Sequence, residues 1–342
     1  MTVAACTAST SPVTTDVPVS AAPIKATTTT TLPPTTTTTR PPPELSDEAD
    51  AYLQEALDLM RTWSINRDQV DWEAVEATVY RLANGAETPA DTYRAIETAV
   101  NSLRDDHSVF LTPSETRTLF DGQARFDQPT VDVRSDGIGV VWVGFYRGNI
   151  GEQADAYARA LAIEIVAVAD RVCGWIVDLR QNTGGNMWPM VAGLAPLLGG
   201  EGEIGSFTYP DGMVEPWRLR DGVAWWNDQP MTTYGTPIPD EQLPVAVLIG
   251  GSTASSGEAT AVAFRGRPDT RLFGRETAGL TTSNEPLYLS DGAMLALTMS
   301  VFTDRTGHTF GQDIPVVPDE EVDGDPLDSA VRWLLDHPGC AS

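Results

Sequence analysis

Lysine, histidine and cysteine are scarce in this chain of 342 residues. Lys25 is the only lysine, and it lies within residues 1–43, which have the composition of a leader and a disordered spacer, so no lysine can be held rigidly as a general base. The chain has three histidines and three cysteines, and the spacing of Cys173 and Cys340 does not match that of a metal site. The sequence therefore predicts neither a bound metal nor a cofactor.

Basic charge is also scarce. The 22 Lys and Arg residues face 48 Asp and Glu residues, which gives a net charge of −26 at pH 7. Because nucleic-acid binding needs a basic surface, this balance excludes DNA and RNA as partners. Two interpretations of the acidic surface stay open: it attracts a cationic substrate, or it only keeps the protein soluble. Long apolar runs are absent too, so the sequence predicts no membrane-spanning segment.

Residues 1–43 have the composition of a leader and a disordered spacer. Residues 3–6, Val-Ala-Ala-Cys, resemble the lipobox at which bacterial lipoproteins are cleaved and acylated. This makes Cys6 a candidate lipid anchor, and it is the only membrane contact that we expect. The alternative is that Cys6 is incidental in a stretch of small residues. Residues 27–43 are rich in Thr and Pro, as an extended spacer is, so the sequence predicts an extracytoplasmic protein, anchored at the cell surface or secreted.

Apolar periodicity divides the rest of the chain into a helical part and an α/β part. Residues 126–342 alternate strands and helices, which predicts an α/β layered core with parallel strand pairs. Within this core, residues 200–244 are acidic and aromatic, and we expect them to form a small cap. Residues 44–125 predict an N-terminal helical subdomain of three helices, each preceded by an N-cap residue: Ser46, Asp71 and Thr88.

One stretch, residues 245–264, reads as a strand, a glycine break and a helix. Its first five residues form an unbroken apolar run that is typical of a strand buried on both faces. Ser255 stands at the turn before the helix, and Glu258 completes a capping-box pattern. One interpretation is that Ser255 is only the helix N-cap. The other is that its hydroxyl is a nucleophile, because the N–H groups of a first helical turn can stabilise an oxyanion.

A second strand-end loop, residues 179–186, contains adjacent glycines. Paired glycines let the backbone approach a ligand closely and direct N–H groups at it. Because the carboxyl ends of parallel strands meet at one edge of a sheet, we expect this loop beside Ser255. Either Gly184 or Gly185 then supplies one N–H of an oxyanion hole, and Ser256 supplies the other. The alternative is a plain tight turn.

A serine nucleophile needs a base, and histidine is the natural candidate near neutral pH. His107 follows Asp105 and Asp106, and an acidic neighbour can orient an imidazole or raise its pKa. His308 lies in a Thr-Gly-His-Thr turn, and His337 lies near the C-terminus. The sequence favours His107 as the base, with His308 as the second candidate.

Three separated motifs resemble those of the tail-specific, or C-terminal processing, serine peptidases, a family that includes the tricorn core. They are Asp-Asp-His-Ser-Val-Phe at residues 105–110, Asp-Leu-Arg-x-Asn-x-Gly-Gly at 178–185, and Thr-Ala-Ser-Ser-Gly-Glu at 253–258. The resemblance covers about residues 45–335 and implies a crotonase-like (ClpP-like) α/β fold. Only about thirty residues separate the first motif from the strand that begins at Ile138, too few for a PDZ domain.

The resemblance implies an extracytoplasmic hydrolase that cleaves peptides or protein tails near their C-terminus. The missing lysine of the Ser–Lys members points to the branch that pairs serine with histidine, which includes surface-anchored peptidases that trim a lantibiotic. In that branch the first serine of the pair is the nucleophile and the histidine is the base, roles that carry over to Ser255 and His107. Lantibiotic-like peptides and envelope proteins both stay open as substrates. Candidate orienting and groove residues complete the expected site: Asp313 and Asp106 for the base, and Asn182, Asn186 and Met187 for the groove.

Other functions and details stay open at this point. The family also contains retinoid-binding relatives, so a non-catalytic module that binds peptides or lipophiles is the alternative from another class. The same machinery could also hydrolyse esters or cyclic peptides. Tryptophans of the predicted cap, such as Trp226, either contact substrate or pack under a lid. Cys173 and Cys340 either form a disulfide in an exported chain or remain free.

Overall fold

A computed structural model describes residues 45–120, 123–235 and 242–340. These residues belong to one compact unit that spans residues 43–342. The lipobox-like start and the Thr/Pro-rich tract lie outside the described residues. The helices are α1 (Asp47–Trp63), α2 (Trp72–Leu82), α3 (Tyr93–Asn101), α4 (Pro113–Phe120), α5 (Glu152–Val168), α6 (Met187–Gly193), α7 (Ser256–Phe264) and α8 (Leu327–Leu335).

The strands form two large sheets and one short pair. Their bounds are β1 (Val109–Leu111), β2 (Arg125–Phe126), β3 (Thr130–Val133), β4 (Ile138–Trp142), β5 (Tyr146–Arg147), β6 (Gly174–Asp178), β7 (Gly202–Thr208), β8 (Val214–Arg220), β9 (Val223–Trp226), β10 (Gln229–Pro230), β11 (Val245–Ile249), β12 (Thr270–Gly274), β13 (Thr282–Tyr288), β14 (Met294–Asp304) and β15 (Glu320–Glu321).

The first part of the chain contains three helices close to the predicted positions. Ser46 caps α1 by accepting a hydrogen bond from Ala49 N–H, and Asp71 caps α2 in the same way. After Thr88 the chain first makes a 3₁₀ turn, because the Asp91 carboxylate accepts hydrogen bonds from the preceding backbone and tightens it, and α3 follows. In the described part of the chain, no helix has the length and apolar character that a bilayer span requires.

The prediction of parallel strand pairs is confirmed. One six-stranded sheet has the order β15-β12-β11-β6-β4-β3, and every neighbouring pair from β15 to β4 is parallel. Alternate residues of its central strand β11 point to opposite faces. Val245, Val247 and Ile249 join a core that includes α5, α6 and α7, while Ala246 and Leu248 pack with α8. This double burial is the reason for the unbroken apolar run of β11.

Residues 200–244, which the sequence predicts to form a small cap, supply strands β7 to β10. These strands continue an antiparallel sheet of order β1-β14-β7-β8-β9-β10, in which β13 also pairs with β14. Residues 236–241 lie outside the described residues. Strand alternation is hard to recognise here because charged residues and a proline interrupt it, as in Val-Glu-Pro-Trp-Arg-Leu-Arg of β8. The segment forms strands because its first strand, β7, pairs with β14, and this partner lies far along the chain.

The helical part packs on one face of β14. Leu295, Leu297 and Met299 of that strand join the apolar core of α1, α2 and α3. The chain then returns from α3 through a loop at residues 102–108 and pairs as β1 with β14. This route brings the Asp-Asp-His-Ser motif onto the antiparallel sheet.

Candidate active site

The two glycine-containing loops follow neighbouring parallel strands. Strands β6 and β11 pair in parallel with Leu248 opposite Asp178, so their carboxyl ends lie side by side. Thr253 after β11 ties the loops together, because its hydroxyl donates to Leu179 O at 2.9 Å. The glycine loop therefore lies beside the loop that contains Ser255, at the edge where the carboxyl ends of β6 and β11 meet.

Ser255 has a strained backbone conformation that its surroundings hold in place. Its φ is +52° and its ψ is −119°, a region that costs a residue with a side chain about 1–3 kcal/mol. The buried Glu258 carboxylate accepts hydrogen bonds from Ser255 N–H at 2.8 Å, from Gly279 N–H at 2.9 Å and from the Thr277 hydroxyl. Burial raises the pKa of Glu258, and these hydrogen bonds oppose that shift. The serine turn is thus fixed by a residue that the sequence explained as a cap.

Asn182 lies beneath this turn and is fully buried. The sequence predicts that it lines the substrate groove, but it is not among the residues that line the cavity. Its side-chain oxygen accepts a hydrogen bond from Gly184 N–H at 3.0 Å, and its carbonyl accepts one from Ala254 N–H at 3.0 Å. A side chain on Gly184 would place its Cβ 2.9 Å from Ser255 Cβ. Asn182 therefore links the glycine loop to the serine turn, and Gly184 must be a glycine for the two to touch.

Two backbone N–H groups remain available at this junction. Gly184 N–H is engaged by Asn182, which excludes it as an oxyanion donor. The N–H groups of Gly185 and Ser256 have no hydrogen-bond partner among residues 45–120, 123–235 and 242–340. Ser256 Oγ donates to Gly185 O at 2.7 Å and so fastens the two segments to each other. Of the two glycines that the sequence offered, Gly185 is the one left with a free donor.

His107 lines the same cavity as Ser255. This cavity has a volume of about 760 Å³ and is lined by residues of the two loops and of strands β13 and β14, among others. Nδ1 of His107 lies 2.7 Å from the hydroxyl oxygen of Thr282, which is buried at the start of β13. The side-chain amide of Asn284 donates to the His107 carbonyl. Burial lowers the pKa of His107, and the nearby Asp105 carboxylate opposes this shift.

The carboxylate next to His107 is Asp105, not Asp106 or Asp313. Asp105 accepts hydrogen bonds from His107 N–H at 3.2 Å and from the Thr298 hydroxyl at 2.9 Å. Asp106 and Asp313 are exposed, and neither makes a hydrogen bond or an ion pair with another described residue. Neither of the two orienting candidates from the sequence therefore makes a hydrogen bond to the imidazole, and at the turn after α3 it is the first acidic side chain, Asp105, that bonds within the fold.

The other histidines lie elsewhere. His308 is exposed and packs edge-on against Phe310, and His337 pairs with Asp269 at 3.5 Å. Within the described ranges, no hydrogen bond joins the Ser255 hydroxyl to the His107 ring, although both line the cavity. Catalytic hydrogen bonds are often long in ligand-free enzymes and shorten when substrate binds.

The groove also contains residues that the sequence analysis did not single out. Asn186 and Met187 line the cavity as expected, and Asn186 caps α6 by accepting a hydrogen bond from Trp188 N–H at 3.0 Å. Thr282 and Glu285 of β13 were missed, since the segment Thr-Ser-Asn-Glu has no motif that suggests a site. Burial raises the pKa of Glu285 to about 7. No group of three potential metal ligands occurs in the part of the chain that the structure describes.

Comparison with known proteins gives a consistent family. The model of peptidase family S41 matches residues 147–322, a range that includes the glycine loop and Ser255 but begins after His107. The nisin-resistance protein of Lactococcus lactis is 30% identical over 289 residues, which cover 83% of this chain and 86% of the relative. A carboxyl-terminal-processing protease of Synechocystis is 28% identical over 44% of this chain and 31% of the relative.

Solved structures show the same fold. A lipoprotein from Streptococcus agalactiae superposes with a TM-score of 0.71 at 24% identity, covering 85% of this chain and 97% of that one. The photosystem II D1 C-terminal processing protease superposes with a TM-score of 0.56 at 17% identity, covering 84% of this chain and 97% of that one. The similarity therefore extends over most of the described residues.

Proposed function

The chain belongs to peptidase family S41, and on that premise we propose that it hydrolyses peptides with Ser255 as the nucleophile and His107 as the general base. Family membership makes it a serine-type peptidase whose substrates are peptides or proteins. The assignment of the two residues rests on their geometry.

One observation supports the assignment most strongly. Ser255 immediately precedes α7, has a strained backbone conformation and contacts Gly184. It also lines the cavity that His107 lines. Strain of this kind persists only where the surrounding structure enforces it, and it is common at catalytic residues. A serine that served only as an N-cap would need no such conformation, because caps ordinarily adopt an extended backbone.

The arrangement accounts for both steps of acyl transfer. When the proton of the neutral His107 ring is on Nδ1, the Nδ1–H group donates a hydrogen bond to the Thr282 hydroxyl oxygen. Nε2 then has the free lone pair that accepts the proton of Ser255 Oγ. Oγ then attacks the peptide carbonyl carbon, and the oxyanion binds to the N–H groups of Gly185 and Ser256. His107 returns the proton to the departing amine, and water, activated by the same imidazole, releases the acyl group from Ser255.

The proposed substrates are protein or peptide tails cleaved near their C-terminus. This is supported by the carboxyl-terminal-processing protease among the relatives and by a cavity of about 760 Å³ that Ser255 and His107 both line. Lantibiotic-like peptides are included because the relative that aligns over most of this chain is a nisin-resistance protein. A cationic peptide fits the net charge of −26.

We propose an extracytoplasmic location, with Cys6 as a lipid anchor. The bacterial nisin-resistance relative supports export. So does the disulfide between Cys173 and Cys340, because disulfides persist mainly in oxidising compartments. The sequence left open whether Cys173 and Cys340 are bonded or free, and in the structure they are bonded.

The finer architecture is proposed as well. It comprises a helical subdomain over residues 44–125 and a crotonase-like (ClpP-like) core over residues 126–342. In its described part, the region between β1 and β4 consists of the short elements α4, β2 and β3. This supports the prediction that no PDZ domain is inserted there.

A peptide library tests the proposal. Peptides with free and with amidated C-termini are incubated with the protein, and the products are read by mass spectrometry. We expect cleavage near free C-termini, with products absent for Ser255→Ala and strongly reduced for His107→Ala. Equal cleavage by the Ser255→Ala variant would assign the activity to other residues, and equal cleavage of amidated peptides would remove the tail specificity.

A further inference from the structure

One end of the active-site cavity is lined by four aromatic rings, which we call the aromatic wall: Trp188, Phe207, Trp226 and Phe302. They come from four separate elements, α6, β7, β9 and β14. The sequence left open whether the tryptophans of residues 200–244 contact substrate or pack under a lid, and the structure separates them. Trp217 is fully buried behind the wall, whereas Trp226 lines the cavity.

The rings of the aromatic wall hold one another in fixed positions. Trp188 and Trp226 stack with their centroids 6.3 Å apart and an interplanar angle of 22°. Phe207 contacts both edge-on, at 6.3 Å from Trp188 and 5.7 Å from Trp226. Edge-to-face and offset-stacked pairs of this kind are favourable beyond the area they bury. A surface already ordered in this way loses little entropy when an apolar group binds to it.

The polar atom of Trp226 is satisfied by a residue outside the cavity lining. Its indole N–H donates to a Glu215 carboxylate oxygen at 2.9 Å, and the Tyr209 hydroxyl donates to the same oxygen at 2.8 Å. The side of Trp226 that lines the cavity therefore presents carbon. It does not need a polar partner from a ligand.

The aromatic wall lines the same cavity as Ser255 and His107 and begins close in sequence to a proposed oxyanion donor. Trp188 is the third residue after Gly185, whose N–H is a proposed oxyanion donor. The cavity has three charged or titratable lining residues within the described ranges, His107, Arg147 and Glu285, and none of them belongs to the wall's elements α6, β7, β9 or β14. The Glu215 carboxylate, which accepts the hydrogen bond from the Trp226 indole, contributes to the raised pKa of Glu285, so Glu285 lies near the wall. The wall therefore presents uncharged ring surfaces, and it starts three residues after Gly185 in the sequence.

We propose that the aromatic wall is a specificity subsite that binds a bulky apolar side chain of the substrate, such as Leu, Met, Phe or Trp, adjacent to the peptide bond attacked by Ser255. This inference deepens the proposed peptidase function and rests on it for the position of the scissile bond. Apolar pockets discriminate by size, and a single methylene commonly changes kcat/KM by about 10-fold or more. A charged or very small residue at this position gains nothing from the wall.

The test compares Trp226 with its neighbour Trp225. The two are adjacent on β9 and similarly half-buried, but Trp225 does not line the cavity and instead contacts Arg220. Peptides that differ only in one residue beside the cleaved bond, Phe, Leu, Ala or Asp, are assayed with the wild type, Trp226→Ala and Trp225→Ala. We expect Trp226→Ala to lower kcat/KM for the Phe and Leu peptides by at least about 10-fold and for the Ala peptide by less than about 3-fold. Trp225→Ala should change neither. If Trp226→Ala does not fold, Trp226→Phe replaces it and should give a smaller loss with the same dependence on the peptide.

Binding to Ser255→Ala separates this inference from the catalytic one. Affinity of that variant for the same peptides is measured by calorimetry, and we expect the Phe and Leu peptides to bind at least about 10-fold more tightly than the Ala and Asp peptides. That preference would support the subsite even if Ser255 proved not to be the nucleophile. Equal binding of all four peptides, or an equal loss of kcat/KM for all of them in Trp226→Ala, would overturn the subsite and leave the proposed chemistry intact.

Discussion

Nδ1 of His107 lies 2.7 Å from Oγ1 of Thr282, a buried residue 175 positions later in the chain. In many serine peptidases a carboxylate orients the catalytic imidazole. Here a hydroxyl has that position, and the carboxylate of Asp105 accepts a hydrogen bond from the backbone N–H of His107 rather than from its ring. The arrangement makes Thr282 a positioning residue for the proposed base.

Replacing Thr282 with valine tests that role. Valine has nearly the same side-chain volume as threonine but cannot accept a hydrogen bond from Nδ1–H, so His107 loses the partner that fixes its tautomer. We expect kcat to fall by about 10- to 100-fold, less than the loss of a general base itself, with KM nearly unchanged. Thr282→Ser should restore most of the rate. A rise in KM without a change in kcat, or equal losses in both variants, would argue against a positioning role.

The pH profile of kcat/KM should reflect the burial of His107. Burial lowers its pKa, so the acidic limb is expected below the ordinary histidine value of about 6.5. Asp105 raises that pKa, and therefore Asp105→Asn should move the limb to still lower pH. The profiles are best compared in a Glu285→Gln background, because Glu285 lines the same cavity and has a pKa of about 7. A limb that stays in place or moves upward in Asp105→Asn would contradict the assignment.

Two glycines with similar backbones but different surroundings test the contact between the loops. Gly184 has a φ of +93°, and a Cβ there would lie 2.9 Å from Ser255 Cβ. Gly212 has a φ of +85° with no atom near its absent Cβ. Gly184→Ala should lower kcat/KM by about 100-fold or more, because displacing a reacting group by about 1 Å has that effect. Gly212→Ala should lower the stability by about 1–2 kcal/mol and leave kcat/KM unchanged.

The disulfide between Cys173 and Cys340 should stabilise the fold. The bond joins the residue before β6 to the segment after α8, a sequence separation of 167. Closing so long a loop restricts the unfolded chain, and removing a native disulfide typically costs about 2–5 kcal/mol. Urea denaturation of the Cys173→Ala/Cys340→Ala variant should show a loss of this size, and reduced wild type should match it. An unchanged midpoint would mean that the bond does not form in solution.

Strand β11, the parallel pairing and the serine turn could be predicted from the sequence, because an apolar run, a glycine break and a capping pattern are local signals. The choice between Asp105 and Asp106 could not, since it depends on how the turn after α3 directs adjacent side chains. Thr282 could not be found either, because its role arises from the pairing of β13 with β14 far from His107. Similarly, Trp226 and Trp225 have the same local sequence context, and the sheet decides which one faces the cavity.

Labelling with a fluorophosphonate tests whether Ser255 is a nucleophile activated by His107. The folded protein is treated with the probe and digested, and the modified peptide is identified by mass spectrometry. We expect one modified residue, Ser255, with labelling lost in Ser255→Ala and slowed by about 100-fold or more in His107→Ala. Failure of the folded wild type to react, or modification that persists in Ser255→Ala, would contradict this role of Ser255.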